Sequence, residues 1–352
     1  MTVMHRYIKC RIIAGLLVLA AVFTGCSSGG TEHTKVAFEN IEKQSYEEAL
    51  SEFLAAEEAK EDERLILRGR GIAYLGMGRY PEAIQSFEQS LALSDGILGD
   101  MDFDINYYLA TAYYKNSDVD SAIEIYNRIL NLRPNEAEAL YLRGVLYAEK
   151  EDLTSAGENF DKAISLEPEN YDMIIKIYSI LAENGYKDVA QDYLKNAMEN
   201  GTKKMSNFEK GQISFYLEDY ESAKTYFEKA RDENELEAVL FLGKTYEILG
   251  DVNYAISVYS SYNSADAPDS KLLNQMGLCK LRTGDYEGAL MAFQQALSEA
   301  DNDMLQTLKF NEVVAYEYLG DFKKACVLLE SYMKSFPDDA EAKREYQFLK
   351  TR

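Results

Sequence analysis

Small and apolar positions recur at helical intervals along most of this chain, and the whole arrangement returns about every 34 residues. One position shows the period best. Ala49, Ala83, Ala122, Ala156, Ala190, Ala223, Ala255, Ala289 and Ala325 follow one another at 34, 39, 34, 34, 33, 32, 34 and 36 residues. Unrelated amphipathic helices would not hold one phase over about 270 residues, so the pattern predicts nine helix-turn-helix units. The best-formed unit runs from Ala137 to Asn170 and contains Gly144, Tyr147, Ala156, Phe160, Ala163 and Pro168. Each residue type has a physical reason. A glycine in the first helix and an alanine in the second let two helix backbones approach, and a ring fills the space beside them. Gly78-Arg79-Tyr80, Gly250-Asp251, Gly284-Asp285-Tyr286 and Gly320-Asp321-Phe322 mark the hairpin turns, and Pro134, Pro168 and Pro337 end second helices. A hairpin of this kind leaves an apolar side that only a neighbouring hairpin can cover.

Three places depart from the period. The fifth unit has Tyr178 at the small position and Leu194 at the ring position, which suggests a bend or softer joint. About five extra residues, Gly96 to Asp102, separate the second and third units. The end of the chain, 340–352, begins another first helix at Ala340 and stops; its polar composition suits a capping helix.

The order Leu-Gly-x-x-Tyr, then Ala-x-x-x-Phe-x-x-Ala, then Pro, resembles the tetratricopeptide repeat family. The set returns as Gly71, Tyr74, Ala83 and Phe87, and as Ala110, Tyr113, Ala122, Tyr126 and Pro134. It recurs as Gly243, Tyr246, Ala255 and Tyr259, as Gly277, Ala289, Phe293 and Ala296, and as Tyr316, Ala325 and Pro337. The resemblance implies an all-α solenoid over 34–339, a right-handed superhelix of about nine repeats whose first helices line a concave, peptide-binding face. Helical spacing from the core positions then puts Arg68, Ile72, Leu75, Tyr107, Tyr114, Tyr141, Phe208, Phe215, Tyr216, Phe310 and Tyr318 on that face. Rings bring large contact area at little entropic cost, so such a ladder favours a peptide or partner helix. A register one residue off would instead place several of them between repeats, and the sequence leaves both readings open. The family's two-carboxylate clamp for chaperone C-termini is not reproduced: the matching places hold Arg68, Ile72, Asp104 and Tyr108, with no asparagine and an acid where a base is needed.

The first 25 residues differ in kind. Arg6, Lys9 and Arg11 precede an apolar run from Ile12 to Phe23, and no acid occurs before Glu32. The run is too short to cross a bilayer comfortably and has the form of an export signal. Phe23-Thr24-Gly25-Cys26 resembles the bacterial lipobox, with Phe23 where leucine is usual. The expectation is a signal peptide over 1–25, lipidation of Cys26, a flexible tether over 26–33, and a place on the extracytoplasmic face of a bacterial membrane. A lipoprotein cysteine carries more than one acyl chain, which makes the anchor stable. An ordinary cleaved secretory signal or an uncleaved anchor is the alternative. Without the three basic residues of the signal, 34 basic face 60 acidic residues, a net charge of −26. So acidic a body repels nucleic acid and anionic lipid headgroups.

Little else carries chemistry. The histidines are His5, in the signal, and His33, in the expected tether, which argues against Ser-His-Asp or Cys-His catalysis and the commonest zinc sets. Outside the signal and lipobox the cysteines are Cys279 and Cys326, in different repeats, either a disulfide or two small buried residues. Asp100, Asp102 and Asp104 alternate as in a calcium loop, but Ile105 and Thr111 replace the glycine and glutamate that such a loop needs, so a turn with a helix cap is the alternative. Gly69-x-Gly71 is no phosphate loop: no strand precedes it and no Lys-Ser/Thr follows. The sequence therefore points to a lipid-anchored, non-enzymatic scaffold without cofactor, metal or small-molecule substrate, holding a protein or peptide. An assembly subunit of an envelope machine (outer-membrane protein insertion, pilus or secretion apparatus) is the second reading. A cell-wall glycan reader is the third, and the lack of Trp counts against it.

Overall fold

The computed structural model describes residues 32–94, 99–201, 203–231, 236–262, 269–299 and 304–352. The expected signal peptide, Cys26 and most of the tether lie outside these residues. Those described divide into two compact units, with the division in the chain between Tyr193 and Leu194. The first holds α1 (Glu32–Glu42), α2 (Tyr46–Glu58), α3 (Glu63–Gly76), α4 (Tyr80–Ala92), α5 (Asp100–Lys115), α6 (Val119–Leu132), α7 (Ala137–Glu149), α8 (Leu153–Leu166) and α9 (Tyr171–Glu183). α10 (Lys187–Gly201) contains the boundary. The second unit continues with α11 (Asn207–Tyr216), α12 (Tyr220–Arg231), α13 (Leu236–Ile248), α14 (Val252–Tyr262), α15 (Ser270–Thr283), α16 (Tyr286–Leu297), α17 (Leu305–Tyr318), α18 (Phe322–Ser335) and α19 (Ala340–Leu349). The chain is all-α among the described residues, with nine hairpins in the expected register and a final single helix. The boundary falls in the second helix of the fifth hairpin, which lacks both the small residue and the ring.

One contact repeats through the hairpins. All nine marker alanines are buried. Twelve residues before each alanine and four after it stand two residues of complementary size. Gly71 faces Phe87, Gly144 faces Phe160, Gly211 faces Phe227, Gly243 faces Tyr259 and Gly277 faces Phe293, and all five rings are fully buried. A methyl group on Gly144 would meet Phe160 Cε1 at 2.6 Å, and one on Gly211 would meet Phe227 at 2.5 Å. The rings therefore lie directly on first-helix backbone. In the ninth hairpin the sizes shift together: Val313 takes the small position, Leu329 takes the ring position, and both are fully buried in one cluster. The Gly211/Phe227 pair completes a set that the sequence pattern had left open in the sixth unit.

The turns repeat as closely. Gln44, Gly78, Ser117, Glu151, Gly185, Glu218, Gly250, Gly284 and Gly320 all have positive φ, one in each hairpin turn. The next residue then returns its N–H to a carbonyl five residues back, as Asp152 does to Tyr147 at 2.9 Å and Asp285 to Lys280 at 2.9 Å. This is a Schellman closure. In six hairpins that residue is an aspartate whose side chain caps the second helix: Asp118, Asp152, Asp219, Asp251, Asp285 and Asp321. One residue thus ends the first helix and starts the second.

Neighbouring hairpins are joined by polar contacts across apolar surfaces. Tyr113 donates to Glu88 at 2.6 Å, and Asn311 Nδ2 donates to Asn274 Oδ1 at 2.8 Å. Arg143 is held between Asn127 and Asn159, at 2.6 and 2.9 Å. His33, expected in the tether, lies instead in the first turn of α1, where its Nδ1 is 2.9 Å from Glu52. The Glu61 carboxylate accepts the backbone N–H groups of His33 and Thr34, fixing the start of that helix. Asp100, Asp102 and Asp104 lie in the first turns of α5, not in a loop. Gly99 N–H donates to Asp102 at 2.9 Å, Asp102 also pairs with Arg64, and Asp104 pairs with Arg68. Cys279 and Cys326 are free thiols, the first buried with its pKa pushed to about 12.

The size pairing makes a quantitative prediction. Gly144→Ala should destabilise the protein by about 1–3 kcal/mol in urea unfolding, because the added methyl overlaps a fully buried ring that would have to shift. Adding Phe160→Leu should recover part of that loss, giving a favourable coupling in the double-mutant cycle. Additive losses would show that ring and glycine do not share one space.

Candidate functional site

The first helices carry the residues expected at a partner-binding face, and the structure sorts them into three groups. Ile72, Tyr141 and Phe310 are buried, so their expected exposure is corrected: they are core. The reason is rotation about the helix axis. Tyr141 packs on the Phe160 ring with centroids 6.3 Å apart, and Phe310 lies 5.7 Å from the Tyr332 ring. Both rings are used inside their own hairpins.

Arg68, Leu75, Tyr107 and Tyr114 in the first unit are half-buried. Arg68 is already engaged. Its Nε donates to Asp104 at 2.6 Å, while its guanidinium lies over Phe38 and Tyr108. It joins α1, α3 and α5 and is not a free reader. Tyr114 donates its hydroxyl to Glu149, and burial raises its pKa. Tyr107 packs edge-on against Tyr126 at 6.0 Å; its hydroxyl is buried with no partner, and desolvation raises its pKa.

Phe208, Phe215 and Tyr216 on α11 are half-buried and converge with a ring the sequence had not singled out, Phe241 on α13. Phe215 lies 5.4 Å from Phe241, Phe208 lies 6.0 Å from it, and Tyr216 lies 6.1 Å from it. Phe241 in turn stacks on the buried Phe227 at 5.3 Å. The cluster is rooted in the core and open at its outer edge. Its signal in the sequence was the run Leu236–Phe241, apolar in five of six positions, in a helix that needs only one apolar stripe. Tyr318 is 56% exposed and stacks on Tyr286 at 5.1 Å. No helix among the described residues is long and apolar enough to cross a membrane, and none of their His, Cys, Asp and Glu residues form a group suited to a metal.

Electrostatics single out one more place on these helices. Glu317 of α17 has a buried Oε1 with no hydrogen-bond partner, and Glu345 of α19 adds like charge. Burial and that repulsion push its pKa up to about 7. The folded state therefore holds this proton more tightly than the unfolded chain. Stability should fall as pH rises from the ordinary carboxylate range through about 7, and level off above it. Hydrogen exchange in α17 and α19 should accordingly be slower near pH 5.5 than near pH 8 after correction for intrinsic rates, and Glu317→Gln should remove the difference. An unchanged pH dependence in the variant would refute this assignment.

Comparison with known proteins agrees with the repeat architecture. Models described as "Tetratricopeptide repeat" match residues 41–96, 74–146, 137–170, 206–231, 270–303 and 310–339. A TPR repeat-containing protein of Methanocaldococcus jannaschii is 24% identical over 265 residues, covering 75% of this chain and 43% of that protein. The BBSome complex member BBS4 of Bos taurus is 21% identical over 286 residues, covering 77% of this chain and 48% of that one. The chain thus spans less than half the length of these relatives. A crystal structure of a tetratricopeptide repeat protein from Parabacteroides merdae is 14% identical, with a TM-score of 0.46, covering 72% of this chain and 98% of that one. Together the matched ranges include seven of the nine marker alanines, all but those of the fifth and seventh units, and the turns, caps and ring-on-glycine contacts recur in the same phase. The chain belongs to the tetratricopeptide repeat family.

Proposed function

We propose that the chain is a scaffold tethered through a lipid on Cys26 to the outer side of a bacterial membrane, where it holds a peptide or partner helix against its first helices. Tetratricopeptide repeats are protein-interaction scaffolds, and the finer reading rests on one observation: Phe208, Phe215, Tyr216 and Phe241 form a cluster anchored in the core but only half covered. Rings held rigid by buried neighbours lose little entropy when a partner covers them, which favours them as binding anchors. The two relatives described as a BBSome complex member and, in Prochlorococcus marinus, a Photosystem I assembly protein are in keeping with a role inside multi-protein assemblies. The reading is non-enzymatic, since the residues on the face offer contact area more than reactive groups. The acidic body, net −26 without the signal, makes nucleic acid an unfavourable partner.

Two experiments test the two halves. Mild crosslinking and detergent extraction should recover a defined partner with the native protein; Phe208→Ala with Phe215→Ala should abolish that recovery while the circular dichroism stays helical. Undiminished recovery would remove the aromatic face from the proposal. For the anchor, Cys26→Ala should block labelling by an alkyne fatty acid and move the protein out of the membrane fraction. A variant that stays membrane-bound and labelled would overturn the lipid assignment.

A further inference from the structure

Lys244 is the unusual group on the second unit's aromatic face. It sits on α13, one turn after Phe241 and one turn before Ile248, so the three share a stripe of the helix surface. Its side chain is open to solvent, and its amine lies 5.9 Å from the Phe241 ring centre. Among the described residues no carboxylate is within ion-pair distance of it, although the mature chain has 60 acids. The acid one turn along, Glu247, is already used: it pairs with Arg282 and accepts the Tyr259 hydroxyl at 2.7 Å. Burial alone holds the Lys244 ammonium below the ordinary lysine range. The protein around Lys244 desolvates the ammonium although part of the side chain reaches solvent. An uncompensated cation in such a place is costly in the free protein and gains most from an incoming anion.

The apolar surface continues on both sides of this amine. Phe241 and the α11 rings lie before it, and Ile248, 50% exposed, lies after it. A ligand that covers both must run past Lys244. Its anion is then a side chain inside the segment and not the end of a chain. The strongly acidic body adds a second constraint, because it disfavours a partner of high negative charge.

We infer that the face formed by α11 and α13 selects a peptide segment in which a single Asp or Glu is flanked on both sides by apolar residues, with Lys244 reading the carboxylate and the rings of Phe215 and Phe241 taking an apolar neighbour. This rests on the aromatic-face reading above and adds the charge pattern of the ligand. The rings supply affinity that tolerates many apolar residues, whereas the single ammonium discriminates against a neutral isostere.

The test uses the full chain, immobilised, and pools of short C-terminally amidated peptides. Each pool carries mixed Leu, Ile, Phe and Tyr on both sides of one central residue, which is Glu, Gln or Lys. Mass spectrometry should show the Glu pool retained about fivefold or more over the Gln pool, with the preference shrinking as salt rises. Lys244→Met keeps the length and apolar stem and should equalise the two pools; Phe215→Ala should weaken retention of all of them. Equal retention of Glu and Gln by the native chain, with loss of both in Phe215→Ala, would overturn the Lys244 inference and leave the aromatic face standing. A Glu preference that survives Lys244→Met would overturn it too. So would a carboxylate preference seen only in peptides with a free C-terminus, which would assign the amine to chain ends. No retention of any pool by the native chain would defeat both readings.

Discussion

The fold depends on a ring lying on a glycine. In five hairpins a fully buried aromatic side chain occupies the space that a first-helix Cβ would need, so the two helices pack with no layer between ring and backbone. This close approach has a cost, because glycine weakens a helix interior by about 0.5–1 kcal/mol relative to alanine. The buried ring more than offsets that, contributing about 1.5–3 kcal/mol by its burial alone. The first helix's opposite side is then free to meet neighbours and solvent. The aromatic face of the second unit is a direct result: Phe241 stacks on Phe227, and Phe227 is the ring that rests on Gly211. The candidate site is therefore an outward extension of the hairpin core.

The turns set the phase that makes this contact repeat. A residue in the left-handed region followed by an N-capping aspartate fixes where one helix stops and the next begins. Gln44, Ser117, Glu151 and Glu218 adopt that conformation without being glycine. The geometry is thus imposed by the helix pairing, and local preference does not decide it. A hairpin whose turn were one residue longer would carry its ring past the glycine.

Much of this was legible beforehand, and the misses have physical causes. Residues fixed by steric exclusion left a strong trace: Gly144, Ala156, Phe160 and Asp285 admit few alternatives, so nine hairpins and a final helix could be counted from spacing. The face was less legible. A helix rotation of one residue moves a side chain through 100°, and tyrosine or phenylalanine is at home on either side of that boundary. Tyr141 and Phe310 consequently proved to be core, while Phe215 and Tyr216 remained half-open. Arg68 was placed on the right helix, but its partner Asp104 lies 36 residues away, beyond what repeat spacing reveals. His33 was assigned to the tether because its anchor, Glu61, is distant in sequence. Lys244 had a signal that went unused: a lone cation amid the apolar positions of Leu236–Ile248.

Native-state hydrogen exchange, resolved residue by residue, addresses the central claim most directly. If the ring-on-glycine contact anchors the five hairpins that carry it, their slowest amides should cluster within a turn of Gly71, Gly144, Gly211, Gly243 and Gly277 and of the rings facing them. The degenerate fifth hairpin should exchange faster. Uniform protection along the helices, or maximal protection in the fifth hairpin, would contradict the account.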